Sequence, residues 1–141
     1  KVLEQDKLYQ YADPLSSINV TYAQEGQKLG WHFDNSSFSI TLLLQAPEAG
    51  GIFEYVKDIR NAESDDMNFT GVTDVVEGKI EPMRVTLEPG TLTLFRGKNS
   101  IHRVTGTIGK KKRMLVVFAY NKLPGIALSE AARMTFFGRL Q

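Results

Sequence analysis

The feature that most restricts this chain is its succession of short β-rich runs, each stopped by a glycine- or proline-bearing turn. Phe38-Ser39-Ile40-Thr41-Leu42-Leu43-Leu44 and Arg113–Tyr120 are the longest, built from aliphatic, β-branched and aromatic side chains that suit a pleated, buried surface. Ile18–Tyr22 alternates and closes at Glu25-Gly26-Gln27. Ile52–Val56 follows a turn over Gln45–Gly51 that carries Pro47 and the Gly50-Gly51 pair. Met83–Leu87 and Thr91–Phe95 flank Glu88-Pro89-Gly90. A loop at Arg96–Ser100 precedes a short strand through His102–Val104, and Gly106–Gly109 turns the chain into the last long strand. Helix is expected only at the margins: a loose helical spacing over residues 1–13, broken by Asp13-Pro14, and a terminal helix over 128–138. Residues 57–80, polar and acidic around Asp65-Asp66, read as an insertion that is helical in part. Many short strands with little helix bury their apolar faces in an antiparallel sandwich or barrel. The expected architecture is mainly β, a double-stranded β-helix (jelly roll, cupin-like) with minor flanking helices, formed as one domain over residues 1–141. Such a roll brings early strands beside late ones.

Composition removes several function classes. The chain has no cysteine, which excludes disulfides and thiolate metal sites. A net charge of +1 gives no general attraction for polyanions, and the basic run at 110–113 is short and lacks interleaved aromatics, so no nucleic-acid partner is expected. No apolar run is long enough to cross a bilayer and no signal-peptide pattern opens the chain, so no membrane partner and a cytoplasmic location are expected. The first residue is Lys1, which reads as a processed or N-terminally truncated chain.

The chemistry concentrates in Gly30-Trp31-His32-Phe33-Asp34-Asn35. On an extended backbone His32 and Asp34 point to the same face and can reach one metal ion from adjacent corners. The only other histidine, His102, opens another strand. Two imidazoles and a carboxylate form the facial set that holds non-heme Fe(II) and leaves three positions open. An isolated His-x-Asp is common and usually carries no metal; its place after a glycine-bearing turn in a β roll is what raises it. Arg113, at the head of an apolar strand, would need an anion if it pointed inward. A carboxylate meets a guanidinium bidentately, so a dicarboxylate co-substrate fits it. The plainer reading is the end of the solvated run Lys110–Arg113, and Lys112 takes the role if the register differs by one residue.

Taken together, Tyr22-Ala23-Gln24-Glu25-Gly26, Trp31–Asn35, Pro47–Gly51 with Phe53, Pro89–Phe95 and His102-Arg103-Val104-Thr105 resemble the 2-oxoglutarate/Fe(II)-dependent oxygenases of the prolyl-hydroxylase-like group, over residues 18–139. Phe53-Glu54-Tyr55-Val56, Leu94-Phe95-Arg96-Gly97 and Phe137-Gly138-Arg139 are similar to one branch, the small bacterial enzymes that hydroxylate or halogenate free amino acids. The resemblance implies Fe(II) held by His32, Asp34 and His102. It implies 2-oxoglutarate chelating that iron, with its distal carboxylate on Arg113 and the Tyr22 hydroxyl, and O2 as oxidant. Halogenating members carry glycine in place of the metal-binding aspartate; Asp34 therefore implies hydroxylation or another oxidation.

The expected partner is a small-molecule substrate, an amino acid. Asn35, Glu54 and Arg96 are candidate substrate contacts: Asn35 follows the metal aspartate, Glu54 could hold an ammonium or guanidinium, and Arg96 a carboxylate. Each has an equally good reading as a structural or solvated residue. Trp31, Phe33 and Phe38 are candidate pocket walls, with core packing the stronger reading for Trp31 and Phe33. Two alternatives stand beside this one: a peptidyl (prolyl-type) hydroxylase, and a non-oxygenase cupin-like metal-binding protein.

Overall fold

The computed structural model describes residues 6–141. It is a roll of antiparallel sheets. In the larger sheet, β1 (Tyr9–Gln10) and β2 (Ile18–Ala23) both pair with β11 (Arg113–Asn121), which pairs with β4 (Phe38–Gln45), which pairs with β8 (Leu92–Phe95). The smaller sheet runs in the order β3 (Leu29–His32), β9 (Ile101–Val104), β6 (Phe53–Val56), β7 (Met83–Val85). A two-stranded ribbon of β5 (Ala49–Gly50) and β10 (Thr107–Ile108) closes one end. The mainly-β roll expected from the strand pattern is the observed class. Among the described residues no helix is long and apolar enough to cross a membrane.

Parity along each strand decides what faces the interior, because successive side chains alternate between faces and directly paired residues share one. On β11 the inner residues are Arg113, Leu115 and Val117; on β4 they are Ser39, Thr41 and Leu43; on β8, Thr93 and Phe95. Phe53, His102 and Val104 face them from the smaller sheet. The outer faces differ in kind. That of the larger sheet is apolar, with Ile18, Val20, Tyr22, Leu92 and Leu94 all more than 40% exposed. That of the smaller sheet carries charge: Arg103 lies over the Trp31 ring at 4.5 Å and both Arg103 and Arg84 pair with Glu54.

The N-terminal helix expected over 1–13 is not formed in its described part. Tyr9 and Gln10 pair with Asn121 and Tyr120 instead, and Tyr11 is buried, so a cross-strand partner outweighs a weak helical spacing; residues 1–5 lie outside the described residues. The turns expected at 45–51 and 106–109 hold the paired strands β5 and β10. Gly50 makes that crossing possible: it adopts φ +68°, and a Cβ there would collide with the Gly106 carbonyl. Within 57–80 a single helix forms, α1 (Phe69–Val76), capped by the Asn68 side chain accepting from the Gly71 N–H. The C-terminal helix α2 (Glu130–Phe137) starts on the Ser129 cap and stops at Gly138 with φ +65°.

Candidate metal centre

Strands β3 and β9 lie side by side with His32 directly opposite His102, which places the ring centroids 4.0 Å apart. Asp34 stands just past the end of β3, its backbone N–H donating to the Gly97 carbonyl at 3.0 Å. One ligand atom from each of the three residues lies within 4.8 Å of the others. Asp34 Oδ1 is 3.4 Å from His102 Nε2 and 3.9 Å from His32 Nε2. Each imidazole is held from behind: His32 Nδ1 lies 2.8 Å from the Gly30 carbonyl and His102 Nδ1 2.9 Å from that of Ser100. A carbonyl only accepts, so each Nδ1 carries the proton and each Nε2 presents its lone pair to the shared centre. Two lone pairs and a carboxylate aimed at one point repel unless a cation joins them. The donor set is that of a divalent metal with open positions.

Electrostatics agree with this arrangement. Burial alone would raise the Asp34 carboxyl, but with no metal between them a protonated His102 ring facing it, then the Ser39 hydroxyl and His32, outweigh burial and hold it below the usual carboxylate range. His32 is depressed below 6.5 by burial and then by the charge of His102, which favours the neutral, ligating form.

The centre opens into a cavity of about 110 Å³ between the sheets, room for a small organic acid. Phe95 meets the His102 ring edge-on at 4.8 Å and Phe53 packs at 5.6 Å, so the wall behind the second imidazole is aromatic. Arg113 projects into the same cavity, 7% exposed, and among the described residues it has no ion pair or hydrogen bond. Burial without an anion pushes its pKa below the ordinary guanidinium range. Lys112 is exposed, so the register selects Arg113. The Thr93 hydroxyl also lines the cavity and is buried with no partner.

Other expected site residues fall elsewhere. Tyr22 pairs with Met114, one position past Arg113, which puts its ring on the outer face of the larger sheet, 59% exposed and away from the guanidinium. Glu54 also faces outward: it is 3% exposed, yet its carboxylate is taken by Arg84 at 3.1 Å and Arg103 at 2.5 Å, so it has no charge left for a substrate. Asn35 is exposed beside Asp34 and absent from the cavity lining; Arg96 is exposed on the loop after β8. Trp31, Phe33 and Phe38 are not walls. Trp31 stacks under Arg103 and Phe33 under Arg60 at 3.5 Å, so neither packs into the central core, while Phe38 does, at 2% exposure. Phe53, Phe95 and Thr93 take the lining positions. In sequence they look like ordinary strand residues, and only inward parity marks them.

A protein-family model described as Halogenase D matches residues 3–130 of the chain. No curated protein matches the sequence. Among solved structures, an oxidoreductase of the 2OG-Fe(II) oxygenase family from Burkholderia pseudomallei superposes with a TM-score of 0.57 at 17% identity. The match covers 77% of this chain and 43% of that one, so this chain spans less than half of the neighbour's length.

Proposed function

This chain belongs to the Halogenase D family, and from that premise we propose that it is an Fe(II)- and 2-oxoglutarate-dependent oxygenase that hydroxylates a small polar substrate, an amino acid. The observation that carries the reading is the meeting, on one cavity, of three convergent donor atoms and a buried guanidinium that lacks an anion. His32 Nε2, His102 Nε2 and Asp34 Oδ1 would hold the metal from one side, leaving three positions toward the cavity. Arg113 would hold the distal carboxylate of the co-substrate, with the Thr93 hydroxyl as second donor in place of Tyr22. A protein that buries an unpaired charge and an unpaired hydroxyl together keeps a site for a ligand that satisfies both.

Bound together, Fe(II) and 2-oxoglutarate would activate O2, coupling decarboxylation of the co-substrate to succinate with oxidation of a substrate C–H bond. The chain's own contribution is positioning and dryness. Phe53, Phe95, Val104, Leu115 and Val117 surround the centre with apolar surface, so a strong oxidant would meet the substrate rather than water. The outcome we propose is hydroxylation rather than halogenation because Asp34 occupies the third protein position, where a halide would otherwise bind.

The test is anaerobic loading with Fe(II) and 2-oxoglutarate, followed by O2 and a panel of free amino acids and short peptides, with succinate and substrate mass as readouts. Substrate-stimulated succinate with a 16-dalton gain on an amino acid supports the reading. A gain on peptides alone moves it to the peptidyl hydroxylases. Metal binding without 2-oxoglutarate consumption supports the cupin-like alternative.

A further inference from the structure

We propose that a buried pair of hydroxyls, Ser36–Ser39, fixes the rotation of the Asp34 carboxylate so that Oδ1 alone faces the metal position. The inference rests on the metal reading above and concerns what keeps three coordination positions open. Ser39 Oγ donates to Asp34 Oδ2 at 2.6 Å, and Ser36 Oγ lies 3.2 Å from Ser39 Oγ. A serine has one proton to give. With that of Ser39 committed to the carboxylate, Ser36 must be the donor between the two serines. Ser36 is 4% exposed and Ser39 7%, so water has little access to break the pair. The far side is closed by backbone: a Cβ on Gly97 would collide with Asp34 Oδ2.

Held from both sides, the carboxylate presents Oδ1 to the two Nε2 atoms and keeps Oδ2 on the serine. The consequence is a count of positions. An octahedral ion bound by two imidazoles and one oxygen keeps three sites, two for a chelating co-substrate and one for O2. A carboxylate free to rotate and bind through both oxygens leaves one too few. Ser39 is therefore a positioning residue, and Ser36, which donates to it, anchors it.

The test uses Co(II), whose visible spectrum reports coordination number, in the full chain carrying Ser39→Ala, Ser39→Thr or Ser36→Ala. Ser39→Ala is expected to weaken Co(II) binding about 10- to 100-fold, to change the intensity of the visible bands, and to weaken the spectral response to 2-oxoglutarate. Ser39→Thr, which keeps a hydroxyl, restores all three. Ser36→Ala shifts them in the same direction by less, and adds nothing in the Ser39→Ala background because the link is already cut. Folded Ser39→Ala protein with wild-type Co(II) affinity and an unchanged spectrum overturns the proposal. If Ser39→Ala does not fold, an unchanged affinity and spectrum in Ser36→Ala overturns it instead. Wild-type protein that binds no Co(II) overturns the metal reading and this inference with it, whereas wild-type binding with indifferent variants overturns only the inference.

Discussion

Replacing Arg113 with methionine should make the empty protein more stable and deaf to its co-substrate. The guanidinium is 7% exposed, has no anion among the described residues, and is pushed below its ordinary pKa by burial. An uncompensated buried ion costs several kcal/mol; with part of the charge solvated by the cavity, methionine should recover about 1–3 kcal/mol while its stem keeps the apolar contacts. For a chain of this size each kcal/mol moves Tm by about 3–4 °C, so the empty variant should melt roughly 3–12 °C above wild type. With Mn(II) present and 2-oxoglutarate at about 100 times Kd, the wild type gains about 2.7 kcal/mol, or about 8–11 °C by the same scaling. Losing the charged partner costs the variant about 2–5 kcal/mol of affinity, roughly a 30- to 5,000-fold rise in Kd, which cuts the shift at the same concentration to about 0.9 kcal/mol or less. The two proteins therefore respond differently: the variant melts higher when empty, and loading raises the wild type several degrees more than the variant. Anaerobic differential scanning fluorimetry measures both. A variant that melts below wild type when empty and still responds to 2-oxoglutarate would show that the fold itself satisfies this guanidinium, and the reasoning fails.

Thr93→Val, nearly isosteric, should leave Tm unchanged or slightly raised because the hydroxyl has no partner to lose. It should weaken 2-oxoglutarate about 10-fold or more, since a hydrogen bond to a charged group contributes about 1.5–3 kcal/mol; calorimetric titration of the Mn(II) protein checks it. Glu54→Ala should cost about 1–3 kcal/mol in denaturant unfolding with 2-oxoglutarate and substrate affinity unchanged, because its carboxylate serves Arg84 and Arg103 rather than the cavity; a substrate KM that rises selectively would return Glu54 to the site. Gly97→Ala should abolish Co(II) binding by displacing the Asp34 carboxylate, while Gly30→Ala, which meets nothing within 4 Å, should bind normally. The pH dependence follows from His32. Its imidazolium is disfavoured in the fold, so the unfolded chain takes up that proton at higher pH than the native one. The stability contributed by the neutral form is complete above about 6.5 and falls as pH drops from there toward the depressed native value. Apo-protein Tm measured from pH 8 to pH 5 should decline below 6.5, and a Tm that rises over that interval contradicts the assignment.

Parity explains both what could be read from the sequence and what could not. His32 and Asp34 share a face because they are two residues apart on extended chain, a relation that survives small errors in strand ends. Arg113 was legible because a cation at the head of an apolar strand is informative if the strand is buried. Tyr22 and Glu54 fail for one reason: whether a single strand residue faces in or out depends on its register with a partner far away in sequence, and a shift of one position reverses the answer. The β1 pairing and the β5–β10 ribbon were hidden because two-residue strands take their order from the chain they meet and have almost no pattern of their own. Phe53, Phe95 and Thr93 look like ordinary strand residues until the opposite sheet is in place.

The residue least like its expected role explains how the centre is assembled. Glu54 lies directly opposite Arg103 on one side and Arg84 on the other. The flanking inward residues, Phe53, Tyr55 and Val104, are aromatic or aliphatic and would tolerate a neighbouring register almost as well. A slip of one residue between β6 and β9 would set Glu54 against His102 or Val104, leaving a carboxylate at 3% exposure without one of its cations, at a cost of several kcal/mol. The same slip would turn His102 to the outer face and remove the second imidazole from Asp34. Charge on the outside of the smaller sheet thus selects the register that places a ligand on its inside. The ion pair contributes little net stability for a buried group, and its physical value lies in excluding the pairings in which the three donors never meet.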